Sequence, residues 1–440
     1  MADLDAASLC RQATQLQGEG RLPEARRLFE RALIAEPGHF QAGISLAVMD
    51  LDTGNLVAAD SRIGALLAAH GPSPALAWLG ARIALARGDH AAAASRIAPA
   101  LAATSLTPDQ RGEALLLKAA AFDGLERTDE AFAAAAEGKA LQRQVHAARA
   151  ASREGEVAKL NRLADWFAAG DPAPWRNSPD ELSAPGPARI HVFLVGFPRS
   201  GTTLLEQVLA GHPEVSTLEE APTLAEAYAE FMTGPDDLAR LARLTSAEAE
   251  PWRRGYWRTV TQLHAGPLGR VFVDKAPAGT LYLPLIAKLF PRAKILFALR
   301  DPRDVTLSCF RNNFQLNAMT YAFTDLAQTA ACYDACMRMA DIYRTVLPLA
   351  VRDARHEAFV QDTAAERAAI GEFLGIQITD GMVDVAATSA GRAIRTPSAR
   401  QVRAGLNASG LGRWRAYAAH LAPVMPTLAP WVERFGYSVD

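Results

Sequence analysis

The chain holds 440 residues, enough for two or three domains, and at 50% hydrophobic and 21% charged residues it has the composition of a packed soluble protein. Its formal net charge of -2 argues against bulk nucleic-acid binding and leaves only a local basic cleft open. The four cysteines, Cys10, Cys309, Cys332 and Cys336, make no C-x-x-C pair, so buried thiols in a reducing compartment are expected rather than a metal or redox site.

In chain order, the opening "MADLDAASLC" has neither a basic n-region nor an apolar core, so no secretory signal is expected and the cytoplasm is the expected location. No window approaches 18 consecutive apolar residues, and no membrane span is predicted. A repeat follows. Gly20, Gly54 and Gly88 are spaced by 34, and Ala25, Ala59 and Ala93 keep that interval, as do Phe29, Ile63 and Ile97. A fourth copy places Ala131 38 residues after Ala93, which implies a short insertion near "TSLTPDQ". Thirty-four residues is the tetratricopeptide period. Small alanines let two antiparallel helices approach closely, and a glycine at the turn adopts positive φ without steric cost. Residues 1–145 are therefore predicted to form about four helical hairpins, each burying its face against the next. Such an array could carry a peptide or protein partner, or only support the adjoining domain.

One long helix is predicted from about Ala131 through "ALQRQVHAARAASREGEVAKLNRLADWFAAG". The prolines and glycine of "DPAPWRNSPDELSAPGPARI" then end it, so residues 146–188 read as connecting helix and linker. Beyond them the periodicity changes. "RIHVFLVG", "GRVFVD" and "AKILFALR" are short apolar runs suited to strands buried on both faces, separated by helical stretches such as "TTLLEQVLAG" and "LYLPLIAKLF". Residues 189–440 are thus an expected α/β domain with a central parallel sheet and a P-loop-like turn.

Ligands of such sheets sit beyond the carboxyl ends of the strands. Three chemically loaded segments fall there: "GFPRSGTT", "DKAP" and "RDPRDVTLS". In the first, Gly196 and Gly201 have the spacing of G-x-x-x-x-G-K-[ST], but Thr202 replaces the lysine. Backbone N–H groups at a helix start still cradle an anion, with Arg199 as the fixed charge and Ser200, Thr202 and Thr203 as hydroxyl donors. The missing lysine and missing nearby metal carboxylate argue against a metal-assisted phosphotransferase, and no metal-ligand cluster stands out in the sequence.

"FLVGFPRSGTTLLEQVLAGHPEV" strongly resembles the 5′-phosphosulfate loop of sulfotransferases, which use 3′-phosphoadenosine 5′-phosphosulfate. "LFALRDPRDVTLSCF", about 100 residues further on, resembles their 3′-phosphate segment. The repeats resemble those of bacterial tetratricopeptide sulfotransferases, and among animal enzymes the pattern is similar to the tyrosylprotein sulfotransferases. The resemblance implies that Arg199, Ser200, Gly201, Thr202 and Thr203 hold the 5′ end. It implies that Arg300 and Ser308, eight residues apart, grip the 3′-phosphate. It assigns the base to Glu220, 21 residues after Arg199, with Glu219 as fallback. Lys275 matches the active-site lysine, with Asp274 expected to orient it.

The relatives' further arginine falls in the register of Asn312, beside Arg311, while Arg303 is expected at the surface of a helix start. In the closing "RTPSARQVRAGLNASGLGRWRAY", Ser398 matches the serine near the sulfonate and Arg413 the contact to the nucleotide phosphate, with Arg403 close by. His356 stands at the family's adenine-contacting position. The implied reaction moves a sulfuryl group to an acceptor hydroxyl and releases adenosine 3′,5′-bisphosphate without a metal. A protein or peptide tyrosine is one acceptor; a sugar, lipid or small-metabolite hydroxyl is another. An inactive repeat scaffold is the rival of a different class.

Overall fold

The computed structural model describes residues 5–176, 186–234, 236–264, 266–361, 363–384 and 410–438. The chain divides into two compact units, the first formed by Met1–Ala147 and the second by nearly all that follows. Among the described residues no helix is long and apolar enough to cross a membrane.

The first unit is a tetratricopeptide-like array of helical hairpins: α1 (Ala6–Gly18) with α2 (Leu22–Ala35), α3 (Phe40–Asp52) with α4 (Leu56–His70), α5 (Pro74–Arg87) with α6 (His90–Ala102), and α7 (Pro108–Gly124) with α8 (Thr128–Ala151). The repeating alanines and the Phe29, Ile63 and Ile97 positions are all buried, so the 34-residue period is the period of the core. The insertion near "TSLTPDQ" is taken up by a five-residue connection, 103–107, and by α7, at 17 residues longer than α1, α3 or α5. A capping box between Thr107 and Gln110 fixes the start of α7.

The hairpin turns put Gly20, Gly54 and Gly88 at φ between 77° and 81°. In the fourth copy the same register carries Glu126, at φ 60°. A side chain in the left-handed region costs on the order of 1 kcal/mol or more, partly offset by the greater unfolded-state entropy of glycine. Glu126→Gly should therefore stabilise the chain by roughly 0.5–1 kcal/mol, read as a higher urea midpoint at unchanged slope.

The single long helix expected from Ala131 is two helices. α8 ends at Ala151, and Gly155 caps α9 (Glu156–Ala169). The break falls at Ser-Arg-Glu-Gly: the Ser152 hydroxyl turns back to donate to the Arg149 carbonyl, and glycine is a poor helix interior residue. The linker begins in α10 (Ala173–Arg176), whose Trp175 is buried against Phe167 with the Lys288 ammonium over its ring.

The second unit is built on five parallel strands in the order β2-β3-β1-β4-β5: β1 (Ile190–Gly196), β2 (Val215–Glu219), β3 (Val271–Lys275), β4 (Lys294–Leu299) and β5 (Ala350–Arg355). The three predicted strands are its three central ones, buried almost throughout. β2 and β5 were not anticipated. They are the edges, with one buried residue each in "VSTLE" and "AVRDAR". Edge strands facing solvent lack the continuous apolar run that marks a central parallel strand. Helix α11 (Thr202–Ala210) packs Leu205, Val208 and Leu209 on the sheet in one core cluster with Val192, Val273 and Leu296.

Candidate active site

Every chemically loaded segment lies at the carboxyl edge of the sheet: the glycine loop after β1, Glu219 at the end of β2 and Glu220 just beyond it, Lys275 at the end of β3, Arg300 after β4 and His356 after β5. The chain order reverses around β1, which is flanked by β3 and β4, and this is where α/β sheets leave a crevice.

Gly201 caps α11 at φ 95°, and no side chain caps that helix start. A Cβ there would stand 2.6 Å from Nδ1 of His356, so the loop needs glycine for both conformation and space. Arg199 also has positive φ, 73°, a strained backbone of the kind that gathers at functional sites. Its Nε donates to the Ser308 hydroxyl at 3.0 Å across to the helix Pro302–Arg311. Burial, and then the neighbouring Arg300, pull its pKa down to about 10, so it stays charged at neutral pH. Ser200, Thr202 and Thr203 are buried around the loop. His356 is held neutral, with its pKa pulled down to about 3 by burial and by Arg300 and Arg199.

Arg300 donates to the Arg199 carbonyl at 3.3 Å and to the carbonyl of Gly410. It pairs with Asp304 at 3.7 Å. Its Nε is buried and finds no acceptor among the described residues. Asp304 in turn accepts from the backbone N–H groups of Gly412 and Trp414, both at 2.8 Å, and so seats the segment that carries Arg413 beside Arg300. Ser398 and Arg403 lie outside the described residues. In the register of the relatives' arginine, the Asn312 amide reaches the Ser308 hydroxyl at 3.2 Å, while Arg311 lies over the Tyr417 ring. Arg303 is not the surface residue expected. It is 1% exposed, paired bidentately with Asp301, bonded to the Ser438 carbonyl and stacked 3.6 Å over Trp414. Its planar fork suits a carboxylate and an indole face together, which is why a cation is buried there.

On the other side of the loop, Lys275 is fully buried, in register with Leu194 of β1 and Glu219 of β2. Its Nζ donates to Glu220 at 2.8 Å and to Glu219 at 3.1 Å. Burial opposes its charge, but Glu206, Glu220 and Glu219 hold the pKa above the usual lysine value. Glu220 sits at φ 47°, with its backbone N–H bonded to the Lys275 carbonyl at 2.7 Å. Asp274 does not orient Lys275. Successive strand residues face opposite sides, and its carboxylate instead accepts from Thr223 at 2.7 Å and Tyr256 at 2.9 Å. Burial pushes the Asp274 pKa up to about 6. The Thr223 bond ties the turn "EEAPT" to β3.

Sequence reading assigns no role to Glu206, the one carboxylate in the apolar "LLEQV" of α11. It is 2% exposed and 3.6 Å from Lys275. A lone acid in a run that must be buried was the available signal.

Comparison with known proteins follows the same ground. Residues 191–380 match the model of the sulfotransferase family. Protein-tyrosine sulfotransferase 2 of Gallus gallus is 26% identical over 269 residues, 56% of this chain and 69% of its own length. Protein-tyrosine sulfotransferase A of Caenorhabditis elegans is 24% identical over 261 residues, 56% of this chain and 67% of its own. An uncharacterized protein of Aquifex aeolicus (strain VF5) is 24% identical over 256 residues, which span 55% of this chain but only 32% of that protein. A sulfotransferase structure from Alicyclobacillus acidocaldarius aligns at 18% identity and TM-score 0.32, covering 56% of this chain and 96% of its own.

Proposed function

We propose that this protein, which carries a sulfotransferase-family domain over residues 191–380, moves the sulfuryl group of 3′-phosphoadenosine 5′-phosphosulfate to an acceptor hydroxyl. The observation that carries the reading is the pairing of a fully buried lysine with an adjacent carboxylate, Lys275 and Glu220 at 2.8 Å, on the sheet edge that also bears the glycine loop and its arginine.

The residues fit a nucleotide with phosphates at both ends. Arg300 has a buried Nε with no acceptor among the described residues, and it lies against Arg199, so two guanidinium groups converge beside the glycine loop where anionic oxygens would be held. Arg300, Ser308 and Arg413 would grip the 3′-phosphate, and Arg199 with the start of α11 the 5′ end. When bound, the donor supplies an activated sulfur and a phosphate leaving group. Glu220 accepts the acceptor's proton as its oxygen attacks. Lys275 neutralises the charge that builds on the leaving oxygen, aided by Arg199, the kind of preoriented term that dominates such barriers. A tyrosine hydroxyl is the acceptor we favour. A phenol, with a pKa near 10, gives up its proton more readily than an alcohol, and protein-tyrosine sulfotransferases are among the relatives.

Purified protein should melt at higher temperature with adenosine 3′,5′-bisphosphate, since any ligand of the native state alone stabilises it. Arg300→Ala should remove most of that gain. An equal response to 5′-AMP would end the case for a 3′-phosphate pocket. Labelled donor incubated with cell extract, comparing wild type with Glu220→Gln, then identifies the acceptor.

A further inference from the structure

The buried Lys275 ammonium faces three carboxylates. Those of Glu220 and Glu219 take two of its three hydrogens. The third, Glu206, comes from α11 behind the lysine, at 3.6 Å, inside ion-pair reach but beyond a hydrogen bond. Its Oε2 is buried and takes no hydrogen bond from the described residues. Such an oxygen is costly to leave unpaired, and a shift of Nζ by well under an ångström would satisfy it.

We propose that Glu206 is a positioning residue for transfer, the alternative partner that keeps Lys275 in place and charged when Glu220 takes up the acceptor's proton. This rests on the reading of Glu220 as base and Lys275 as the cation at the leaving oxygen. Once protonated, Glu220 is neutral and a weaker partner for the ammonium. At that moment the leaving oxygen gains charge and most needs the lysine. A second carboxylate fixed on a helix holds the ammonium without competing for the acceptor, because Glu206 is only 2% exposed. The groups that face Glu206 are Lys275 from β3 and Glu219 and Thr217 from β2. Burial is the main cause, and Glu219 a further one, pushing its pKa up to about 7 against the pull of Lys275 and Thr217. Its charge is therefore held by the lysine rather than by water.

Glu206→Gln keeps the shape and removes the charge. Expected results are a fall of about tenfold in kcat, little change in KM for the donor or in the thermal shift by adenosine 3′,5′-bisphosphate, and a kcat–pH profile that loses its dependence near neutrality. Glu206→Asp, charged but shorter, should recover part of kcat. An unchanged kcat and pH profile in Glu206→Gln would overturn the proposal, as would equal losses in the Gln and Asp variants.

A second measurement needs no turnover. A carboxyl whose folded pKa lies above its unfolded value favours the native state at low pH and loses that contribution as pH rises through the interval between the two values. The melting temperature of wild type relative to Glu206→Gln should therefore decline between about pH 4.5 and pH 7. If wild type transfers no sulfuryl group yet this decline is present, the functional reading fails while the buried pairing stands. If transfer is present and the decline absent, the Glu206 proposal alone fails.

Discussion

Lys275→Met is expected to cut turnover by 100- to 1,000-fold, the cost of deleting a donor aimed at developing charge, and to destabilise the fold by about 3–5 kcal/mol, the cost of stranding a buried ion-pair partner. Both effects come from one fact: a side chain with no exposed surface neutralises Glu206 and Glu219. The pH dependence separates them. Without the lysine, Glu206, already pushed up by burial, has a folded pKa still further above its unfolded one, so the variant's stability is retained at low pH and lost as pH rises past the ordinary carboxylate range. Urea midpoints should therefore show a smaller deficit at pH 5 than at pH 8. Lys275→Arg retains the charge but not the compact ammonium. It should recover most of the stability and little of the turnover. A Lys275→Met protein as stable as wild type at pH 8 would contradict the charge accounting.

Glu220→Gln is expected to lower kcat by 100- to 10,000-fold, the range for removing a positioned general base, while leaving capture of adenosine 3′,5′-bisphosphate intact. Glu219→Gln should cost less than about tenfold by the same scale. The distinction rests on geometry. Glu219 is the last residue of β2 and 21% exposed at its side chain, whereas Glu220 is lifted out of the strand by its positive φ and is 46% exposed, where an acceptor can reach it. Steady-state rates on the acceptor found in extracts would test this. The reverse ranking of the two variants would make Glu219 the base.

The sequence was legible where a physical constraint repeats or concentrates. The 34-residue interval surfaces as buried Ala25, Ala59 and Ala93 because each hairpin repeats the same close helix approach. β1, β3 and β4 were readable because a strand covered on both faces must be apolar throughout. The glycine loop was readable because only glycine meets its conformation and its contact with His356. The rest failed for equally physical reasons. β2 and β5 are edges with little buried surface. Arg303 was placed at the surface because nothing local in "RDPRD" announces Trp414 and Ser438, which reach it from the far end of the chain. Glu206 and Asp274 read as ordinary residues of a helix and a strand. Their weight comes from the side chains they meet across the sheet, and alternation along β3 turns Asp274 away from the lysine beside it.

The grip of Asp304 on the amides of Gly412 and Trp414 has a bearing on synthesis. A ribosome adding roughly 5–20 residues per second exposes the Arg199 loop long before it releases Trp414, so a nascent chain holds Arg199 and Arg300 before it has the amides that Asp304 grips. Translation products that stop short of Gly410 would leave Asp304 without those two amides and Arg300 without the Gly410 carbonyl. On the proposed reading such fragments would hold the donor poorly, and competence would wait for the segment 410–414.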